Sequence, residues 1–277
     1  MTRSSGHLQT PEGVGPFDHA AWAYSTDRER AEAACAWIAD GLRCGQRALY
    51  VAEGSVDELT SELSSVPGVT QAIASGALVV IPSTELYDLS ALIDAKAQLA
   101  VYAGAVDQAI ADGFGGMRVA ADITPLVFDA ARRTSHLHWE QVADRYMTDY
   151  PLAPICMYDT RRIKDVRAIA CAHPLQGPHR QPFALYGASQ KESVLIGEVD
   201  AFSAEVLAEV LREAPETDEV IDVSRLSFVD ARAAWTLHDE IARRRSRGRQ
   251  LTLSGATRVF RHVWAVCGFD ESALQAA

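Results

Sequence analysis

Paired cysteines are absent from this chain of 277 residues. The five present, Cys35, Cys44, Cys156, Cys171 and Cys267, are odd in number and widely scattered, with no CxxC pair. Neither a zinc cage nor a disulfide framework is indicated, and each thiol is expected to be a compact buried hydrophobe. A positive balance is lacking too: 26 basic against 37 acidic residues give a formal net charge of -11. That field repels the phosphate backbone of nucleic acid and anionic lipid, so neither is expected as a partner. No apolar run approaches the roughly 18 to 20 uncharged residues of a membrane span. The opening MTRSSGHLQTPEGVGPFDH has no signal-peptide core, so a cytoplasmic protein is expected.

What is there suits two α/β domains, since the length exceeds a usual single domain and 48% of residues are hydrophobic. Residues 1–16 are rich in Gly, Ser and Pro and read as a disordered lead-in. From Phe17 onward, strand-like apolar segments alternate with stretches of helical period, the sign of parallel βαβ units. Strands are expected at His19–Tyr24, Arg47–Ala52, Ala77–Ile81, Met117–Ala121 and Pro154–Tyr158. Thr26 and Glu29 have capping-box spacing ahead of a helix with Ala31, Ala34, Cys35, Ile38 and Leu42 turned inward. Further helices are expected near Leu89–Ala111, Thr134–Thr148 and Ile163–Cys171. The prolines of HPLQGPHRQP suit a linker at 174–180 between a domain at 17–173 and another at 181–277. Both halves are acidic, and the run RRRSRGR at 243–249 reads as a solvated helix end complementing the helix dipole.

Ligands of open parallel sheets bind outside the carboxyl ends of the strands, where Tyr24, Ser25, Glu53, Asp122 and Tyr158 fall. These five are the candidate ligand-binding residues. His19 lies at the other end of its strand and reads as structural. Trp139 reads as core or pocket wall. His136 and His138, two apart on a helix, do not share a face, which argues against a metal pair. No nucleophile, base and orienter combination is evident. No cofactor, no metal and no enzymatic activity are expected.

Four segments of the second half, GEVDAF at 197–202, DVSRLSFVDA at 222–231, QLTLSG at 250–255 and VFRHVWAVCGFD at 259–270, resemble the STAS family, best known from anti-sigma-factor antagonists. The resemblance implies a small mixed sheet with helices on one face. It also implies docking on an anti-sigma factor or related kinase-like protein around Asp230, Ala231 and Arg232. Phosphorylatable members carry Ser or Thr where this chain has Ala231, which has no oxygen to modify. Ser224 and Ser227 are nearby hydroxyls, with Ser227 expected inside a buried strand.

The first half is similar to the DcmR sensory domain of methanogens and methylotrophs, called MEDS. The similarity is carried by residues 18–54, RVAADITPL at 118–126, the Trp139-Glu140 pair and PICMYDTRRI at 154–163. It implies a RecA/KaiC-like, mostly parallel sheet that senses a small organic compound. A nucleotide-hydrolysing enzyme of that architecture is the competing expectation. Such an enzyme needs a glycine-rich phosphate loop with Lys and Ser/Thr, whereas the first strand here runs straight into AYSTDRER. Asp122 stands where such folds carry a metal-binding acid.

Overall fold

The computed structural model describes residues 3–275. Its first part runs β1 (Gly6–His7), β2 (Ala20–Tyr24), α1 (Asp27–Arg43), β3 (Arg47–Ala52), α2 (Val56–Glu62), α3 (Val69–Ala74) and β4 (Leu78–Pro82). It continues with α4 (Ser83–Leu86), α5 (Ala95–Ala111), β5 (Met117–Asp122), α6 (Ala130–Tyr146), β6 (Leu152–Asp159), α7 (Arg167–Cys171) and β7 (Leu175–Gln176). Seven strands join in the order β1-β7-β2-β6-β5-β3-β4. Every pairing is parallel.

Strands β2, β5 and β6 are buried along their whole length, which explains their near-continuous apolar sequences. Alternation divides their side chains between two faces. Tyr24, Tyr50 and Met157 enter one core with Trp37 and Ile38 of α1. Ala21, Val51, Cys156 and Tyr158 enter the other with Leu137 and Trp139 of α6. Thr26 caps α1 in the expected box with Glu29. The helix expected from Leu89 starts at Ala95 because Asp94 accepts from the Lys96 and Ala97 amides. Likewise α6, capped by Asp129, begins at Ala130, four residues before the expected start.

The second part comprises β8 (Phe183–Gly187), β9 (Glu192–Val199), α8 (Ala204–Glu213), β10 (Glu219–Asp222) and β11 (Leu226–Val229). It ends with α9 (Ala231–Ser246), β12 (Leu251–Ser254) and α10 (Arg258–Val266). β9 pairs antiparallel with β8, and parallel with β10 near its start and β11 near its end. β12 extends the sheet beyond β10. This is the expected smaller mixed α/β domain.

Three expectations need correction. The lead-in is ordered wherever it is described; its residues 1 and 2 lie outside the described residues. Gly6 and His7 pair with β7, Val14 is buried, and the Arg3 guanidinium binds Phe17 O at 2.8 Å and Gly187 O at 2.8 Å. A segment poor in apolar residues is held here by backbone pairing and one buried cation. The 174–180 segment is not a plain linker, because Leu175 and Gln176 form β7. Its prolines flank the pairing amides instead of occupying them: Leu175 N donates to His19 O and Gly177 N to Ala21 O. The 243–249 run is not wholly solvated either. Arg244 is buried, 2.7 Å from both Glu219 and Glu240.

One apolar core crosses between the two parts, with Leu137, Ile169 and Cys171 of the first continuous with Phe183, Leu207 and Val210 of the second. α6 is the element between them. It packs on α5 and α7 of its own part and on α8 and β8 of the other.

Candidate functional site

At the carboxyl ends of the strands, Tyr24 and Asp122 come together. The Tyr24 hydroxyl donates to Asp122 Oδ2 at 2.9 Å, and the other carboxylate oxygen accepts from the Thr124 hydroxyl and amide at 2.6 and 3.1 Å. Arg30 Nε lies 4.0 Å away, while its other nitrogens hold Tyr50 and Glu62. Burial raises the Asp122 pKa, with Thr124, Tyr24 and Arg30 acting against it. Ser25 is exposed, its amide and hydroxyl both donating to Glu29. Glu53, also exposed, pairs with Arg162. Of the five strand-end candidates, only Tyr24 and Asp122 touch.

Tyr158 parts from the other four. Its hydroxyl passes to the opposite face of the sheet and donates to Glu140 Oε1 at 3.2 Å. There it meets a set of buried polar groups drawn from distant segments. His19 precedes β2, Cys156 sits two residues before Tyr158 on β6, and His136, Glu140 and Asp144 follow one another at four-residue spacing along α6. His173 comes just after α7. All seven residues are buried, at most 6% exposed.

The contacts are short and directional. His19 Nδ1 lies 3.0 Å from Asp144 Oδ1, and its Nε2 lies 3.2 Å from Glu140 Oε2 and 3.6 Å from Cys156 Sγ. His173 Nδ1 donates to Ile169 O at 2.8 Å, and its ring centroid is 4.0 Å from that of His19. His136 Nε2 is 2.6 Å from Glu140 Oε1 but out of line for a hydrogen bond. Burial opposes charge on His19, yet hydrogen bonds to Asp144 and Glu140 raise its pKa. Burial likewise works against the Glu140 charge, and the nearby imidazoles of His136, His173 and His19 still hold it well below the usual carboxylate range. Burial, then the neighbouring His19, depresses His173 to about 3. The Cys156 thiol is pushed well up by burial and by Glu140.

Beside this set is a small cavity of about 30 Å3, walled by Tyr87, Tyr102, Trp139, Glu140 and Cys156 among others. Trp139 stacks on Tyr102 at 5.8 Å, and the Tyr87 and Tyr102 hydroxyls are 2.7 Å apart. Trp139 is thus both core and pocket wall. The space admits about one water or a small ligand group. Chemically, aromatic walls with a carboxylate and a thiol at one end can receive a small apolar group and read one polar point on it. His19, Glu140, Cys156 and His173 also place one donor atom each within 4.8 Å of one another. Composition and spacing did not show this set, because its members lie on separate segments. The available signals were the i, i+4 acids on α6 and the alternate Cys156 and Tyr158.

Asp144 carries the set to the second part. Its Oδ2 accepts from the Gly187 amide of β8 at 2.6 Å, and Arg3 binds both its oxygens at 2.5 and 3.1 Å. Burial opposes the Asp144 charge, but Arg3 and His19 lower its pKa nevertheless. Next along α6, Arg145 pairs with Glu219 of β10 at 2.5 Å, both buried.

On the second part's surface, Asp230 caps α9 by accepting from Ala233 N at 2.9 Å. Ala231 and Arg232 are exposed at the helix start. Phe228 just before them and Trp235 just after are 49% and 46% exposed, unusual for aromatics. Ser227 is exposed too, correcting the buried expectation: its hydroxyl turns out of the strand to Gly197 O at 2.9 Å.

Two family models match the chain in tandem. One, described as MEthanogen/methylotroph, DcmR Sensory domain (MEDS), matches residues 18–174, and one described as Mlab, STAS domain matches residues 189–276. No curated protein matches the chain. No helix among the described residues is long and apolar enough to cross a membrane.

Proposed function

The chain belongs to the MEDS family and carries a STAS domain after it, and from that premise we propose that it is a cytoplasmic, non-enzymatic regulator. A small organic molecule received by the first domain sets how the STAS domain docks on a partner protein, an anti-sigma factor or related kinase-like protein. Docking involves Asp230, Ala231 and Arg232 and needs no phosphorylation step, since Ala231 offers no hydroxyl. A group of that molecule enters the cavity by Trp139, not the strand mouth. At the mouth, Tyr24 and Asp122 already satisfy each other.

The observation that carries this reading is the position of Asp144. One carboxylate binds His19 of the buried set and the Gly187 amide of β8. Any rearrangement of the set therefore acts on the first strand of the STAS sheet. A ligand biases docking only if it favours one arrangement over another.

The competing reading, nucleotide hydrolysis, meets an obstacle at the start of α1. The Ser25 and Thr26 amides that could face a phosphate are held by the Glu29 carboxylate at 2.7 and 3.2 Å. The test uses the full chain and Ala231→Glu as baits. A kinase-fold protein bound by the first and lost by the second supports the proposal; equal binding to both rejects this surface as the dock. Turnover of ATP with magnesium, abolished by Asp122→Ala, would overturn the non-enzymatic reading.

A further inference from the structure

We propose that His19, Glu140, Cys156 and His173 form a binding site for one divalent transition metal ion, zinc by the character of its donors. The inference deepens the sensory reading by giving the buried set a resident ion, and it stands on the geometry of that set alone.

The spacing is that of a coordination polyhedron. Zinc takes nitrogen at about 2.0–2.1 Å, carboxylate oxygen at about 2.0–2.2 Å and thiolate sulfur at about 2.3 Å, so a tetrahedral site has donor-to-donor edges of about 3.3 to 3.7 Å. Here Nε2 of His19 is 3.2 Å from Oε2 of Glu140 and 3.6 Å from Sγ of Cys156. Sγ is 3.8 Å from that oxygen, and Nε2 of His173 is 3.6 Å from it. All four donor atoms lie within 4.8 Å of one another. Four of the six edges are thus close to tetrahedral length, and a bound ion would draw His173 in along the other two.

Both imidazoles are already oriented for the task. His19 presents Nδ1 to Asp144 and His173 presents Nδ1 to Ile169 O. Each therefore turns Nε2 inward, the arrangement in which an outer carboxylate or carbonyl fixes the tautomer of a metal-binding histidine. A second observation points independently to a ligand. The Nε2 of His173, fully buried and aimed into the set, has no hydrogen-bond partner. Leaving such an atom unpaired costs free energy, and a metal bond removes the deficit.

The charges balance. Binding expels the thiol proton of Cys156 and the proton between His19 Nε2 and Glu140, so two protons leave as a dication enters. The net charge of the buried set stays the same. Mixed nitrogen, oxygen and sulfur donors fit zinc better than calcium or magnesium, which take oxygen. Four protein donors close the first shell, the pattern of a structural or sensing ion, while the neighbouring cavity leaves space for a small ligand group beside it.

The test is made on the full chain, stripped with a chelator and then titrated with Zn2+ or Co2+ alone. We expect one ion per chain, and for Co2+ the strong visible bands of tetrahedral coordination with a near-ultraviolet thiolate charge-transfer band. Cys156→Ser abolishes the charge-transfer band, whereas Cys171→Ser, a buried thiol outside the set, leaves it intact. Asp144→Asn lowers zinc affinity by about 10- to 100-fold, as loss of an outer-shell partner does, and His173→Ala lowers it further. Cys156→Ser is nearly isosteric and keeps the test open should His173→Ala fail to fold. Substoichiometric metal, weak octahedral-type bands, or a charge-transfer band that survives Cys156→Ser would overturn the site. Metal binding with unregulated docking would instead sink only the sensory reading.

Discussion

Replacing Arg145 with Met tests whether the two domains act as one body. Arg145 lies on α6 of the first domain and Glu219 on β10 of the second, 2.5 Å apart and buried. Removing one partner of a buried pair costs about 3–5 kcal/mol when the other is left uncompensated. Glu219 would keep Arg244 at 2.7 Å and the Ser193 hydroxyl at 2.5 Å. Arg145→Met should therefore cost less, about 2–3 kcal/mol. Glu219→Gln is the harsher change. It strands two buried guanidinium groups, of which only Arg244 retains another acid, Glu240. About 4–5 kcal/mol is expected there, at the top of the same range. Urea unfolding of the full chain, followed by circular dichroism and by tryptophan fluorescence, checks both. The continuous core predicts a single transition that Arg145→Met shifts as a whole. Two separated transitions with the second unmoved by Arg145→Met, or a larger cost for Arg145→Met than for Glu219→Gln, would refute the reasoning.

Three further outcomes are expected. Gly177→Ala should lower stability by about 1–3 kcal/mol or more, because a Cβ there would stand 2.2 Å from Trp22 Cε3 and overpacking costs that much; thermal unfolding reads it. Asp122 has a raised pKa in the fold, so the native state holds its proton longer than the unfolded chain. Its contribution is favourable below the unfolded value of about 4 and is lost as pH rises through the native value; Asp122→Asn should flatten that part of the stability–pH curve. Ala231→Glu is exposed at the first turn of α9, where an acid meets the helix dipole favourably. Its unfolding free energy should stay within about 0.5 kcal/mol of the parent, so weaker docking by this variant would be an effect on the interface and not on the fold.

Much of the sheet was legible because each strand carries its own signal. Arg47–Ala52 is a short apolar run bounded by turns and is a strand as read, and the runs at His19–Tyr24 and Met117–Ala121 are strands to within one residue. The start of α1 was legible through its capping box. β1 and β7 were not, since two-residue strands have no period and are defined by the partner they meet. Proline in 174–180 pointed to an interruption, yet pairing depends on which amides are free to donate, and those of Leu175 and Gly177 are. Tyr24 and Asp122 were foreseen at one strand mouth. Tyr158 was assigned to the same mouth by its place along β6, but its side chain turns to the opposite face. His19 read as a structural histidine when taken alone. Its neighbours Glu140, Cys156 and His173 come from elements that only the folded sheet brings together, so no local pattern could mark them as a set.

The arrangement of α6 supplies the physical link between the two domains. Trp139, Glu140 and Ala143 line the small cavity. One residue further on, Asp144 holds the β8 amide, and Arg145 holds Glu219. A helix moves as a rigid rod over such a short span, so displacing Trp139 or Glu140 displaces Asp144 and Arg145 as well. Those two contacts are charge-assisted and buried, hence steep in distance and costly to leave half-made. Under the proposed function, a small shift on the cavity side would therefore be resolved into one arrangement or another at the STAS sheet. In the proposed regulation α6 would be the bistable element, with Asp144 joining His19 of the buried set to the Gly187 amide of the STAS sheet.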